Sequence, residues 1–132
     1  MLVDDDGPTN FLNKELLIRY EFAEEVIVKT DGIEALNYLK NECKSSDAYP
    51  DLILLDLKMP ILHGVDFLKE FHKICKDVKH DIYIVILTYS PEADDVIRVK
   101  DLGNYQWVEK PLSIEKLIDI HHKYFRERIT QH

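Results

Sequence analysis

The chain has 132 residues, 45% hydrophobic and 32% charged, a length and balance that suit one domain with a buried core. A net charge of -8 argues against nucleic acid as a direct partner, because phosphate binding needs clustered Lys and Arg. No apolar run approaches the roughly 18 residues of a membrane span, and nothing reads as a signal peptide. Two cysteines, Cys43 and Cys75, have neither metal-type spacing nor a disulfide framework, so a reducing cytoplasm is the expected setting. The whole of residues 1–132 reads as a single domain with no room for a second, output-type unit.

Met1-Leu2-Val3 predicts a short first strand that runs into Asp4-Asp5-Asp6. Gly7-Pro8 reads as a turn. From Thr9 to about Tyr20, Phe11, Leu12, Leu16, Leu17 and Tyr20 fall at the spacing of one helix face. Val26-Ile27-Val28 predicts a second strand. Thr30-Asp31-Gly32 then opens a helix with Ala35, Leu36, Leu39 and Cys43 at helical spacing, and Lys44 to Pro50 reads as a polar loop. Leu52 to Leu55 is a run of four apolar residues that suits a strand buried on both faces, as in a parallel sheet. It ends at Asp56, where a carboxylate leaves the sheet.

Beyond Gly64, a helix carries Phe67, Leu68, Phe71, Ile74 and Cys75 on one face. Ile82 to Leu87 is a fourth strand, ending at Thr88. Ser90-Pro91 reads as the start of a helix that closes near Gly103, where Glu92, Asp94 and Asp95 favour the dipole of its first turns. Tyr105 to Val108 is a fifth strand, followed by Glu109-Lys110-Pro111. Ser113 caps a last helix with Ile114, Leu117, Ile118, His121 and Phe125. Strand and helix alternate five times, which predicts an α/β fold: a parallel sheet with right-handed crossovers and helices on both faces. If the strand order is 2-1-3-4-5, the ends of strands one and three flank the switch point where such sheets bind ligands. Asp4, Asp5, Asp56, Thr88 and Lys110 then converge on one edge.

Met singly, a strand-end Asp is a turn former or helix cap, and Lys-Pro is a common loop dipeptide. Together the residues suit phosphoryl chemistry. Clustered carboxylates repel one another, and Mg²⁺ relieves that while keeping waters and binding phosphate oxygens. Asp5 and Asp56 fit as ligands, with Asp4 in support. Lys110 and Thr88 offer a cation and a hydroxyl to a phosphoryl group, and a carboxylate acceptor would form an acyl phosphate.

In that ordered set the chain resembles a response-regulator receiver domain, the phosphoacceptor module of two-component signalling. The resemblance rests on Val3-Asp4-Asp5, Asp31-Gly32 with Glu34-Ala35-Leu36, Asp56 with Met59-Pro60 and Gly64, Thr88, and Lys110-Pro111. It implies a CheY-like, flavodoxin-like fold with the 2-1-3-4-5 sheet. It implies that Asp56 is phosphorylated, that Asp5, Asp56 and the backbone carbonyl of Lys58 bind Mg²⁺ with Asp4 supporting, and that Thr88 and Lys110 bind phosphoryl oxygens. The Lys110-Pro111 peptide is expected to be cis. A sensor histidine kinase or histidine phosphotransfer protein is the implied donor. The receiver is not an enzyme in its own right but assists its own phosphorylation and dephosphorylation. As a single-domain regulator it signals by binding a downstream protein target, as a monomer or weak homodimer.

The resemblance also implies a switch through Thr88 and Trp107, the aromatic three residues before Lys110; the plainer reading of Trp107 is a half-buried packing aromatic. Lys58 and Ser90 occupy positions that tune phosphoryl lifetime in the family. Tyr89 is large where relatives usually have Ala, Ser or Gly, and narrows access to the site. The segment between the Gly32 helix and the Asp56 strand is longer than in minimal receivers, as in single-domain regulators that serve bacterial phytochromes. Among the six histidines, His63 reads as a solvated loop residue, and His121 and His122 point about 100° apart on a helix, poorly placed to chelate one metal.

Three other readings compete. A docking module without phosphorylation would not need Asp4, Asp5, Asp56, Thr88 and Lys110. An aspartyl phosphatase wants a second acid two residues after the first, where Lys58 stands. A flavodoxin-like carrier wants a phosphate loop after strand one, where Asp4-Asp5-Asp6 would repel phosphate.

Overall fold

In the computed structural model, which describes residues 1–130, strands and helices alternate along the chain. They are β1 Leu2–Val3, α1 Gly7–Arg19, β2 Val28–Lys29, α2 Gly32–Asn41, β3 Leu52–Asp56, α3 Gly64–Cys75, β4 Tyr83–Thr88, α4 Ala93–Leu102, β5 Gln106–Glu109 and α5 Ile114–Thr130. All strand pairs are parallel, in the order β2-β1-β3-β4-β5, as the alternation predicts.

The central strands sort their side chains by alternation, because successive residues point to opposite faces. Val3, Ile53, Leu55, Ile84 and Ile86 go to one face, where α2, α3 and Val99 of α4 cover them. Leu2, Leu54, Val85, Leu87 and Val108 go to the other, against Leu17 of α1 and Leu117 and Ile120 of α5. Both faces are therefore dry. That is why the strands read as unbroken apolar runs and why the first polar residue of each marks where the sheet ends.

Several local expectations shift. The α1 helix begins at Gly7, two residues early: Asp6 caps it, its carboxylate accepting the Thr9 N–H at 3.0 Å, and Pro8 sits in the first turn, where it has no N–H to waste. The buried face of α1 is Asn10, Asn13 and Leu17, not the Phe11–Leu12 side; Phe11 and Leu12 are 66% and 62% exposed. Asn10 sets that phase by donating its side-chain N–H to the Asp4 carbonyl at 2.7 Å. The second strand pairs at Val28–Lys29 rather than 26–28, because β1 is two residues long and lies opposite those positions.

Ser90 does not cap α4. The helix starts at Ala93, with Glu92 at its N-cap, so that Asp95 and Val99 face inward one turn apart. Within the polar loop, Ser46–Ala48 forms a 3-10 turn whose Ala48 carbonyl accepts the Cys43 thiol at 3.5 Å. In α5, Leu117 and Ile120 are buried, whereas Ile118 and Phe125 stay about half exposed. Ser113 caps that helix as expected, accepting the Lys116 N–H at 3.2 Å. Both cysteines are free thiols. Among the described residues, no helix is long and apolar enough to cross a membrane.

Candidate functional site

Asp4, Asp5, Asp56, Thr88 and Lys110 lie at the carboxyl ends of β1, β3, β4 and β5. The register explains their meeting: Val3 lies opposite Leu55, and Asp56 opposite Leu87, so the acids after β1 and at the end of β3 sit side by side, with Thr88 one residue further on. Carboxylate oxygens of Asp4, Asp5 and Asp56 all lie within 4.8 Å of one another, Asp4 and Asp56 buried and Asp5 exposed.

Asp4 is tied on every side. Its N–H donates to the Lys29 carbonyl at 3.1 Å and its carbonyl accepts from Asn10. One carboxylate oxygen accepts the Asp6 N–H at 2.9 Å, and the other accepts the Lys110 ammonium at 2.7 Å. Lys110 Nζ also lies 3.5 Å from Asp56 Oδ1, and its own N–H donates to the Thr88 carbonyl at 2.8 Å. The Lys110-Pro111 peptide is cis, as expected.

Burial, and then the Asp4 carboxylate beside it, push the Asp56 carboxyl above its ordinary pKa; Lys110 and the Lys58 N–H pull the other way without cancelling that, and Asp5 adds to the rise. Burial works against the charged form of Lys110, but the bond to Asp4 and the charge of Asp56 outweigh it and raise its pKa. An acidic cluster with one buried cation is an electrostatic seat for a divalent ion and an anion together.

Gly64 makes the loop after β3 possible. A Cβ there would stand 2.6 Å from Leu57 Cα and 2.8 Å from the Asp56 carbonyl oxygen. The Gly64 N–H donates to the Leu57 carbonyl at 2.7 Å, which folds residues 57–64 back beside Asp56. Tyr89 is exposed; its ring centroid lies 5.3 Å from Lys110 Nζ, and both line a cleft of about 430 Å³ between α1 and the segment after β5. Trp107 lies opposite Ile86 on β5 and is half-buried against the α2–α3–α4 side of the core.

Two features were not read from the sequence. His63 is not a solvated bystander: its Nδ1 accepts the Val65 N–H at 3.1 Å, capping α3, and its Nε2 lies 3.7 Å from Asp95. Lys58 Nζ donates to the Glu92 carboxylate, an exposed contact that joins the loop after β3 to the N-cap of α4. Only Asp6-Gly7-Pro8, an acid ahead of a first-turn proline, carried a usable signal, for the α1 cap.

The chain belongs to the response regulator receiver domain family, whose model matches residues 1–122. It is 28% identical over 124 residues to sporulation initiation phosphotransferase F of Bacillus subtilis, covering 94% of this chain and 90% of that protein. Among solved structures, a two component response regulator from Cytophaga hutchinsonii superposes with a TM-score of 0.80 at 28% identity, covering 95% and 94% of the two chains. The bacteriophytochrome response regulator RtBRR superposes with a TM-score of 0.76 at 31% identity, covering 93% of this chain and 75% of that one. The chain spans about half the length of several transcriptional regulators it also matches. It is thus a CheY-like receiver domain of a response regulator, a class that belongs to two-component signalling.

Proposed function

We propose that this receiver domain accepts a phosphoryl group on Asp56 and passes the signal on through phosphorylation-dependent protein binding in the cytoplasm. The observation that carries this is the meeting of three carboxylates within 4.8 Å of one another with Lys110 Nζ 2.7 Å from Asp4 and 3.5 Å from Asp56. Asp5, Asp56 and the Lys58 carbonyl would hold Mg²⁺, and the buried charge of Asp4 supports them. Bound there, Mg²⁺ would offset the negative charge of the incoming phosphoryl oxygens.

An Asp56 carboxylate oxygen attacks the phosphorus of the donor, a phosphohistidine of a sensor kinase or phosphotransfer protein. A P–O bond to Asp56 forms as the P–N bond breaks, and the electron pair leaves with the imidazole. Lys110 and the Thr88 hydroxyl take the phosphoryl oxygens. Drawing Thr88 inward moves the segment 88–92, and with it the α4 face against which Trp107 packs.

Intact mass after incubation with acetyl phosphate tests this. Wild type is expected to gain one phosphoryl group only with Mg²⁺, and Asp56→Asn none. No gain by folded wild type, nor by Tyr89→Ala, which removes the ring beside Lys110, would leave a docking module in its place.

A further inference from the structure

The acidic site occupies the carboxyl ends of the strands. At their amino ends lies a cavity of about 690 Å³, between the turn from α1 to β2 and the loop from α2 to β3. Buried Leu17 and Leu54 and the half-buried rings of Tyr38 and Tyr49 line it. Glu24, Glu25 and Asp47 stand exposed at its edge. Among the described residues, none of these three acids has an ion-pair partner. No Lys, Arg or His side chain lines the cavity. Lys29, beside it, is already taken: its Nζ lies 5.0 Å from the Tyr38 ring centroid and 3.9 Å from Glu34. A second cavity of about 200 Å³ adjoins the first, sharing Leu17, Phe22, Asp51 and Leu52, and runs to Tyr124 and Phe125 of α5. The trough is thus aromatic toward α5 and acidic toward the α2–β3 loop. Two adjoining cavities of different character suit an extended chain with two kinds of side chain, rather than one compact ligand. From Asp51 to Asp56 the chain rises roughly 16 Å along β3, so an occupant here leaves the phosphoryl site open.

We propose that this trough is a docking site for a basic segment of a partner protein. An apolar or aromatic side chain enters the cavity beside Phe125, and neighbouring Lys or Arg residues reach Glu24, Glu25 and Asp47. Burial of apolar surface supplies the attraction, and the acids select the partner and speed the encounter. The aliphatic stem of a lysine lies along Tyr38 and Tyr49 while its ammonium stays at the wet edge. Charge decides against a second copy of this chain as the occupant, since its net charge of -8 would meet a rim of the same sign. The proposal stands apart from the acceptor reading above, because it uses none of the residues at the carboxyl ends of the strands.

The test follows backbone amide shifts of the full chain titrated with a capped peptide of phenylalanine and leucine followed by three lysines. Shifts are expected to gather on the two cavities and to saturate, in wild type and Asp56→Asn alike. Glutamates in place of the lysines, or serines in place of the apolar pair, should abolish binding. Glu24→Gln, Glu25→Gln and Asp47→Asn together should weaken it about tenfold, the sum of three exposed ion contacts. Asp77→Asn, Asp101→Asn and Glu115→Gln together remove the same charge from exposed positions elsewhere and should leave it within about twofold. Phe125→Ala, at a half-exposed position, should weaken binding and keep the melting temperature. Equal weakening by the two triple variants would reduce the binding to net charge. Octylamine bound as tightly as the peptide would make the trough a pocket for small amines, and shifts that move with protein concentration alone would make it a contact between copies. Each of these overturns the proposal, as do the absence of saturable binding and shifts centred on Asp56.

Discussion

Asp56 is held in a state that favours its proton. Burial first, then the Asp4 carboxylate, raise its pKa above 3.8. Once the pH passes 3.8, the unfolded chain has released that proton while the folded chain still keeps it. Stability therefore falls as pH rises through the window between that value and the raised folded one. Asp56→Asn has no proton to lose and escapes the fall. In metal-free buffer near neutral pH it is expected to melt above wild type, the gap closing as the pH is lowered toward 3.8. A variant that melts below wild type at neutral pH would show that Asp56 is not electrostatically strained.

Ile61 gives a second residue-scale prediction. It has φ 71° and is 82% exposed, a β-branched side chain in the left-handed region with no packing to justify it. Ile61→Gly is expected to raise stability by about 1 kcal/mol in urea unfolding, since relief of the strain exceeds the entropy cost of glycine. A lower midpoint would mean that the isoleucine makes a stabilising contact.

At the scale of elements, the loop from β3 to α3 depends on the absence of a side chain at residue 64. The atoms a Cβ would meet include the Leu57 Cα and the Asp56 carbonyl, neither of which can swing aside as a side-chain end can. Gly64→Ala is expected to lose about 1–3 kcal/mol in equilibrium unfolding and to displace Asp56 with the loop. The phase of α1 is another element-level outcome. Apolar periodicity points to Phe11 and Leu12 as the inward side, but the helix turns Asn10 and Asn13 inward with Leu17. The hydrogen bond from Asn10 to the end of β1 holds the more polar face inward and leaves Phe11 and Leu12 outside. Likewise, α4 starts at Ala93 because Val99 must reach the core, whatever capping Ser90 offers.

On the scale of the whole molecule, Mg²⁺ is expected to raise the melting temperature of wild type by mass action on the folded state. Asp5→Asn should reduce that rise, and a rise of equal size would remove Asp5 from the metal site. Trp107 is the single tryptophan of the chain and sits between the sheet and the α4 side. Its fluorescence is therefore a reporter for movement of that face. Acetyl phosphate with Mg²⁺ is expected to change its emission in wild type but not in Asp56→Asn or Thr88→Ala. Emission that changes equally in all three would sever Trp107 from the phosphoryl site.

The sequence by itself determined the number, type and order of the elements and the set of residues at the strand ends. It could do so because strands dry on both faces must be apolar throughout, so that Asp4, Asp56, Thr88 and Lys110 stand out where those runs stop. Only the tertiary structure decided which partner each charge takes. Lys110 lies closer to Asp4 than to Asp56, His63 reaches Asp95, and Glu92 reaches Lys58 rather than its own helix end. These are contacts between segments far apart in the chain. Strand register and helix phase, which short-range patterning does not encode, bring them together.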